Sequence, residues 1–242
     1  MAIQAWKRFE KTDSWQRVKT RVKRLVGKEL RLEPEVDVPI TRSGGWEYDA
    51  TRLDEFSIVY SVGVGDDIVF DLAVIKECDS NVYAFDPTPG SQDFVDIQDP
   101  PAKFSFYAWG VAAQDGSLAL YPRVRKSGEL SEVMYTMVPD ESSENNAIEV
   151  PCYTIASIAG KLGHSRIDLL KLDIEGAEYE VLDGLLASPI RPTQLLVEFH
   201  HRFFENGLER TAENIDRLQD AGYKIMSVRA ESGREIGFLY VP

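Results

Sequence analysis

Short apolar runs alternate with amphipathic segments along most of this chain. The clearest run, Ile58-Val59-Tyr60, is followed by Gly63-Val64-Gly65, two acidic residues and a second apolar stretch. This order is typical of a buried strand that ends in a glycine turn and leads into a helix, here expected at 68–77. Because glycine has no Cβ, such a turn lets the backbone approach a ligand closely.

The same alternation continues to the C-terminus. Further strands are predicted at 82–85, 103–108, 117–121, 167–172, 194–197, 224–228 and 236–241, and further helices at 154–162, at 208–221 and in a segment that ends near 186. The last two strands are joined by Glu231-Ser232-Gly233-Arg234, which indicates a hairpin. Strands that alternate with helices and close with a hairpin predict the α/β class, with a doubly wound, mostly parallel sheet and an antiparallel edge.

Three segments are expected to be loops near a ligand. Residues 41–48 contain two glycines beside a tryptophan, and they either lie over a ligand or form a turn with a packed tryptophan. Residues 87–102 begin with Pro87-Thr88-Pro89-Gly90, which we expect to stop both helix and strand. Residues 123–147 are polar, and we expect an irregular insertion there.

The first 31 residues differ from the rest in charge. They hold ten basic and three acidic residues, whereas the remainder holds 17 basic and 37 acidic residues. Apolar positions recur there at helical spacing, which predicts an amphipathic helix whose apolar face is Trp15, Val18, Val22, Leu25 and Val26. We expect this helix to pack against the acidic body; an anionic membrane surface and a homodimer contact are the alternatives. We therefore divide the chain into a basic helical extension with a linker, 1–40, and a main domain, 41–242.

Length and composition narrow the function classes. The length of the main domain and 43% hydrophobic residues in the whole chain suit a single globular α/β unit. We find neither a signal-peptide core nor an apolar run of about 18 residues, so we expect no transmembrane segment and a cytoplasmic location. Cys78 and Cys152 are too few for a disulfide framework or a zinc site, and we expect buried thiols. The acidic main domain disfavours nucleic acid as a partner and favours a cationic ligand.

Residues that can carry chemistry follow the predicted strands. In open α/β sheets, ligands bind at the carboxyl ends of the strands. On this chain those ends hold Ser61, Gly63, Gly65, Asp86, Trp109, Asp173, Glu175, Glu198, His200 and His201. Chance would scatter such residues over both edges of the sheet, so the pattern predicts a ligand site at one rim.

The glycine turn and Asp86 narrow the choice of cofactor. Asp86 follows Gly65 by 21 residues and ends the next predicted strand, where a carboxylate holds ribose hydroxyls. A dinucleotide-binding turn has a third glycine, but Ile68 stands in its place. Asp66 and Asp67 would repel a diphosphate, although at least one of them is expected to cap the following helix. S-adenosylmethionine, which has a positive sulfonium and no phosphate, fits this turn better than NAD.

Four segments resemble the FkbM family of S-adenosylmethionine-dependent methyltransferases. They are Val59–Gly65, Val82–Pro87, Asp168–Glu178 and Leu196–His200, and LLKLDIEGAE within the third is the most specific. The resemblance spans roughly residues 41–242. It implies a class I methyltransferase fold, with a seven-stranded Rossmann-like sheet and an antiparallel C-terminal hairpin. It also implies an activity that is typically O-methylation of a hydroxyl on a natural product or a sugar.

The resemblance further implies a set of cofactor-binding residues. Gly63-Val64-Gly65 would flank the methionine part, and Trp109 or its neighbours would border the adenine. Many such enzymes carry an acidic residue at the position of Ser61, so Asp67 or Asp71 would have to replace it beside the methionine amine. The full implied set is Ser61, Gly63, Val64, Gly65, Asp67, Asp86, Pro87, Trp109, Gly110 and Asp173.

Methyl transfer to a hydroxyl needs alignment of the acceptor and removal of its proton. His200 is the first candidate base, because its unperturbed pKa lies near neutrality. The resemblance places Asp173, the second candidate, near the sulfonium and the acceptor hydroxyl, and Glu198 completes the predicted catalytic set. The same three side chains could converge on a hydrated Mg²⁺. One histidine among carboxylates is not a distinctive metal pattern, so a divalent metal is the minor alternative.

Other interpretations exist for the residues and for the function. In a structural interpretation, one of His200 and His201 packs and the other is solvated, while Glu175 and Glu178 are first-turn residues of a helix. An NAD-dependent oxidoreductase is the enzymatic alternative, based on the strand, the turn and the acidic residue after the second strand. A subunit that binds the cofactor without catalysis is the other alternative, motivated by Ser61.

Overall fold

A computed structural model describes residues 12–124, 129–136 and 143–242 of the chain. The helices are α1 (Asp13–Leu25), α2 (Val69–Cys78), α3 (Pro89–Gln98), α4 (Ile155–Leu162), α5 (Glu178–Ala187) and α6 (Gly207–Asp220). The strands are β1 (Thr41–Ser43), β2 (Trp46–Tyr48), β3 (Ile58–Val62), β4 (Asn81–Phe85), β5 (Phe104–Tyr107), β6 (Gly110–Val111), β7 (Gly116–Val124), β8 (Leu130–Thr136), β9 (Ile148–Tyr153), β10 (Leu169–Leu172), β11 (Gln194–Glu198), β12 (Tyr223–Val228) and β13 (Glu235–Tyr240).

Seven strands form the central sheet, in the order β12-β13-β11-β10-β3-β4-β5. The pairs from β11 through β5 are parallel, whereas β13 is antiparallel to both β11 and β12. The predicted α/β class, the seven strands and the C-terminal hairpin are confirmed. The reversed strand does not form the edge, because β13 lies between β11 and β12.

The parallel strands end in register, which builds one rim. Val62 pairs with Leu172 on one side and with Phe85 on the other, and Leu172 pairs with Val197. The residues that follow these strand ends therefore come together at the same edge of the sheet. The predicted rim follows from this register and from the crossover connections between parallel strands.

The central strands are buried on both faces. Successive side chains of a strand point to opposite faces, and along β3 and β10 they enter two separate apolar clusters. Tyr60 and Leu170 belong to one cluster, and Val59 and Leu169 belong to the other. Helices and loops cover each face, as a parallel sheet requires.

Two elements were wrongly expected to be loops. The segment 87–102 contains α3, and Pro89 is its first residue, a position where the missing N–H and the fixed φ suit a helix. The segment 123–147 contains β8, which pairs antiparallel with β7 in a second sheet of order β6-β9-β7-β8. The rest of the expected insertion at 125–128 and 137–142 lies outside the described residues.

The N-terminal helix forms as predicted, but it faces the other way. Thr20 is the buried residue of α1, whereas Val18, Val22, Leu25 and Val26 are 46%, 52%, 72% and 61% exposed. The helix packs against the body as expected, but its apolar face does not make the contact. The polar side makes the contact instead, because Thr20 Oγ1 donates to the carbonyl oxygen of Glu231 at 2.7 Å. Residues 1–11 of the predicted helical region lie outside the described residues.

Of two compositional expectations, one is met in the described part of the chain and the other is met for Cys152 but not fully for Cys78. None of the helices in that part of the chain has the length and apolar character needed to cross a membrane. Cys78 and Cys152 are both free thiols; Cys152 is buried and Cys78 is half-buried. Neither cysteine therefore forms a disulfide bond.

Candidate active site

Two neighbouring cavities open at the rim and share Gly63 and Asp173. The smaller, about 170 Å³, is lined by Gly44, Trp46, Gly63, Val64, Asp67, Phe70, Asp71, Lys171, Asp173, Glu198, Arg229 and Glu235. The larger, about 340 Å³, is lined by Val62, Gly63, Phe85, Asp86, Pro87, Thr88, Gly110, Val111, Leu118, Leu120, Tyr135, Asp173, Ile174, Glu175, Gly176, Ala177, Glu180, Phe203 and Phe204. Five of the ten predicted rim residues line these cavities, namely Gly63, Asp86, Asp173, Glu175 and Glu198.

Gly63 is held against the end of β10. Its φ is +84°, and a Cβ at this position would lie 1.7 Å from the carbonyl oxygen of Asp173. Only glycine fits this close approach without a shift of the backbone. The amide of Gly63 donates to Phe85 O at 3.0 Å, and Lys171 Nζ donates to Gly63 O at 2.9 Å. The glycine turn is therefore fixed from both neighbouring strands.

Asp86 ties the glycine turn to the end of β4. Its Oδ2 accepts from the amides of Val64 at 3.0 Å and Gly65 at 2.9 Å. Its Oδ1 accepts from Thr88, from the amide at 2.9 Å and from Oγ1 at 2.6 Å. The carboxylate thus orders the turn and the start of α3, a role that the sequence interpretation did not include.

The smaller cavity has an excess of negative charge. Five carboxyl groups line it, against the two cations Lys171 and Arg229. Asp71 Oδ1 is buried and has no hydrogen-bond partner in the part of the chain that the structure describes. Burial raises the pKa of Asp71, and the positive charge of Lys171 opposes that effect. An orphaned carboxylate oxygen in an acidic cavity suits a cationic ligand group such as an ammonium.

The other polar residues of the turn are less available to a ligand. Asp67 Oδ1 accepts from the amide of Val69 at 2.7 Å, so the predicted helix capping is confirmed for this residue. Ser61 is fully buried, its Oγ has no hydrogen-bond partner among the described residues, and it lines neither cavity. Gly65 also lines neither cavity, and its amide donates to Asp86 Oδ2.

The β1–β2 turn forms one wall of the smaller cavity. Gly44 and Trp46 line it, and Lys171 Nζ lies 5.3 Å from the centroid of the Trp46 ring. Trp46 is at the same time buried in the core cluster that includes Phe70. The packed tryptophan that the second alternative expected is confirmed, whereas a position of residues 41–48 over a ligand stays a prediction.

His200 is oriented by a buried glutamate. Its Nδ1 lies 2.7 Å from Glu178 Oε1, and Glu178 is fully buried. The same oxygen accepts from the amides of Ile174 at 3.2 Å and Gly176 at 3.1 Å. Because a carboxylate only accepts hydrogen bonds, this network assigns the proton to Nδ1 and leaves a lone pair on Nε2.

The Nε2 atom of His200 faces two carboxylates. Asp173 Oδ1 lies 3.9 Å away and Glu198 Oε1 lies 3.8 Å away. Burial, and then the charge of Asp173, raises the pKa of Glu198 to about 7, and burial raises the pKa of Asp173. For His200, burial lowers the pKa, but the hydrogen bond and charge of Glu178 outweigh it, so the pKa is raised. Such perturbed groups are suited to proton transfer near neutral pH.

A match to a protein-family model identifies the family of this chain. A model described as the methyltransferase FkbM domain matches residues 47–225. The chain belongs to the FkbM methyltransferase family. It is an S-adenosylmethionine-dependent methyltransferase, and the NAD-dependent alternative is set aside.

Three solved structures are similar to this FkbM methyltransferase over most of its length. Methanococcus jannaschii fibrillarin, a pre-rRNA processing protein, is 10% identical, with 88% of this chain and 87% of that chain covered and a TM-score of 0.44. Aeropyrum pernix fibrillarin with natively bound S-adenosyl-L-methionine is 12% identical, with 86% and 84% covered and a TM-score of 0.42. The aminoglycoside resistance methyltransferase NpmB1 is 17% identical, with 85% and 100% covered and a TM-score of 0.35. A comparison with curated proteins finds no match.

Three side chains of the FkbM site have a spacing that a divalent cation requires. One ligand atom each from Asp173, Glu198 and His200 lies within 4.8 Å of the other two. Two oxygen ligands about 2.1–2.6 Å from a shared ion are at most about 4–5 Å apart, so the spacing suits one hydrated ion. Glu198 Oε1 already forms an ion pair with Arg234, whose Nη2 lies 2.8 Å away. The three side chains converge as expected, and a divalent metal stays the minor alternative.

Two predicted residues lie elsewhere than expected. His201 is buried like His200, so the interpretation with one solvated histidine is wrong; its Nε2 lies 3.3 Å from Glu29 Oε1. Trp109 is not among the residues that line the larger cavity. Its ring packs against that of Tyr107 with the planes tilted by 39° and the centroids 4.7 Å apart, while Gly110 after it does line the cavity.

Sequence reasoning missed several residues of the site. Glu178 does begin α5 as the helix interpretation said, but it also holds His200. The signal was present, because Glu178 lies in the LDIEGAE segment and is too polar to be buried without a partner. No local pattern indicated the apolar wall that Leu118, Leu120 and Tyr135 contribute from β7 and β8.

Proposed function

We propose that this FkbM methyltransferase methylates a hydroxyl group on a small, partly apolar or sugar-like acceptor. The observation that carries the proposal is the convergence of Asp173, Glu198 and His200 beside the junction of the two cavities. A hydroxyl acceptor must lose its proton as it attacks, and this cluster supplies groups that can take it.

The cofactor lies across both cavities in this proposal. S-adenosylmethionine, when bound, supplies a methyl group on a positively charged sulfonium. Asp71, with its orphaned oxygen, and Asp67 hold the methionine amine in the acidic smaller cavity. Asp86 holds the ribose, and Pro87 and Gly110 border the adenine in the larger cavity. Asp173 lines both cavities, and in this proposal it lies beside the sulfonium.

His200 is the base in this proposal. Its Nδ1 proton is fixed on Glu178, so the Nε2 lone pair points towards the site and can accept the hydroxyl proton. Asp173 is the alternative acceptor of that proton. Because displacement at the methyl group is in line, the main task of the surrounding residues is to align the acceptor oxygen.

The acceptor lies in the rest of the larger cavity. Leu118, Leu120, Phe203 and Phe204 give this part an apolar wall, which suits an acceptor with an apolar portion beside its hydroxyl. The net charge of −20 over residues 32–242 disfavours a nucleic acid acceptor. The cytoplasmic location expected from the sequence stays a prediction.

An acceptor screen tests the proposal. The purified protein is incubated with S-adenosylmethionine and a panel of hydroxylated small molecules, and mass spectrometry follows the gain of one methyl group. We expect methyl ethers among the apolar or sugar-like members. Isothermal titration with S-adenosylmethionine and its demethylated product runs in parallel. Binding without any methylated product would favour the non-catalytic alternative, and methylation only at nitrogen or carbon would overturn the hydroxyl assignment.

A further inference from the structure

Helix α1 presents an apolar stripe to solvent. Val18, Val22, Leu25 and Val26 share one helical face, and each is at least 46% exposed. Thr20 lies on the opposite face and is the residue that the body covers. A helix that packs on its own domain has the reverse arrangement, with the apolar stripe inside. The stripe therefore faces something outside this chain's core.

The polar side of the N-terminal segment is anchored to the main domain. Arg17 Nη2 lies 2.6 Å from Glu231 Oε1. Further along, the buried carboxylate of Glu29 pairs with Arg202 Nη2 at 2.8 Å and lies 3.3 Å from His201 Nε2. These contacts hold α1 with its apolar stripe outwards.

The charges beside the stripe identify the kind of partner. Lys19 and Arg21 are exposed and flank the stripe on its two sides. Basic side chains beside an exposed apolar face are the arrangement with which an amphipathic helix lies on an anionic lipid surface. In a two-fold dimer, α1 would meet the same basic helix of a second copy, and like charges would repel.

We infer that α1 docks this protein on a membrane surface that contains anionic lipids. The stripe enters the interface between headgroups and acyl chains, while Lys19 and Arg21 contact the headgroups. The acidic main domain stays on the water side, because the same surface repels it. This inference is independent of the acceptor and of the base.

Vesicle sedimentation of the full-length protein tests the inference. We expect binding to vesicles of phosphatidylcholine and phosphatidylglycerol in equal parts to be at least about tenfold tighter than to phosphatidylcholine alone, and to weaken with added salt. The double substitution Val22→Glu with Leu25→Glu should weaken binding by about tenfold or more. Lys19→Glu with Arg21→Glu should weaken it similarly, since each basic residue contributes near the surface.

Ile97→Glu is the matched control, because Ile97 is 80% exposed but lies on α3. It should bind vesicles like the wild type. Circular dichroism and affinity for S-adenosylhomocysteine confirm that each variant is folded. The inference is overturned if the wild type does not sediment with mixed vesicles at low salt, or if the Val22/Leu25 variant binds as well as the wild type. A different outcome would assign the stripe to a second copy instead. In that case the wild type does not bind vesicles, light scattering shows that it is a dimer, and the Val22/Leu25 variant is a monomer.

Discussion

The carboxylate of Glu178 fixes the imidazole of His200, with Oε1 and Nδ1 2.7 Å apart inside the protein. Glu178 begins α5 and His200 follows β11, so the contact joins the ends of two neighbouring chain segments. It decides which ring nitrogen can face the site. The contact also couples the charge of His200 to a group that never meets solvent.

Glu178→Gln should lower the pKa of His200. The amide oxygen can still accept from Nδ1, but the negative charge that raises the pKa is gone. Nuclear magnetic resonance titration of the histidine rings measures the shift without any acceptor. Glu209→Gln is the control, because Glu209 is an exposed first-turn residue of α6. An unchanged His200 titration in Glu178→Gln would contradict the coupling.

The same pair predicts how stability depends on pH. Because the folded-state pKa of His200 is raised, protonation of His200 stabilises the fold fully below the unfolded pKa of about 6.5. That contribution is lost as the pH rises through the folded pKa. Urea unfolding of the wild type and of Glu178→Gln should therefore differ most on the acidic side of that range and less at higher pH. A difference that grows with rising pH would have the wrong sign.

His200→Ala should reduce methyl transfer by about 10²–10⁴-fold, the usual contribution of a general base. Affinity for S-adenosylmethionine should change little, because His200 lines neither of the two cavities. Initial rates with an acceptor from the screen, together with isothermal titration, separate the two effects. His164→Gln is the control, because His164 Nδ1 lies 2.7 Å from the hydroxyl of Tyr60 and His164 is not part of the cluster of Asp173, Glu198 and His200. Wild-type rates in His200→Ala across the pH range would remove it as the base.

Asp86→Asn should weaken cofactor binding by about tenfold or more, since a hydrogen bond to a charged acceptor contributes about 1.5–3 kcal/mol. Part of that loss comes through the glycine turn, because Asp86 Oδ2 also accepts from Val64 and Gly65. Isothermal titration with S-adenosylhomocysteine gives the affinity. Thermal unfolding measures how much stability is lost when the glycine turn loses its charged acceptor. Asp93→Asn, an exposed change on α3, should leave both unchanged. Equal affinities for Asp86→Asn and the wild type would show that Asp86 does not bind the cofactor.

Gly63→Ala and Gly65→Ala should differ sharply. Both glycines have positive φ, but an added Cβ at Gly63 meets Asp173 O at 1.7 Å, while at Gly65 nothing lies within 4 Å. We expect a loss of more than about 3 kcal/mol, or no folded protein, at Gly63. At Gly65 the backbone conformation alone should cost about 1 kcal/mol. Urea unfolding measures both, and equal losses would show that the contact with β10 can relax.

Local patterns were enough for the core of the fold. The run Ile58-Val59-Tyr60, the glycine turn and the acidic residues at the ends of β4, β10 and β11 are properties of neighbouring residues, and they predicted strands, turn and rim. The same logic failed at α3, where Pro89 reads as a stop although it begins a helix, and at β8, whose pairing with β7 is not a local property. Secondary-structure propensity is a property of one segment, whereas strand pairing depends on which other strand lies beside it.

The sequence by itself determined a parallel α/β sheet with a cofactor turn and acidic strand ends, because hydrophobic periodicity and glycine geometry act over a few residues. Only the tertiary structure decided that Glu178 holds His200, because this contact needs the register of β10 and β11. It also decided that α1 turns its apolar stripe outwards. An amphipathic pattern says that two faces differ, but the contacts of Arg17 and Thr20 choose which face meets the protein.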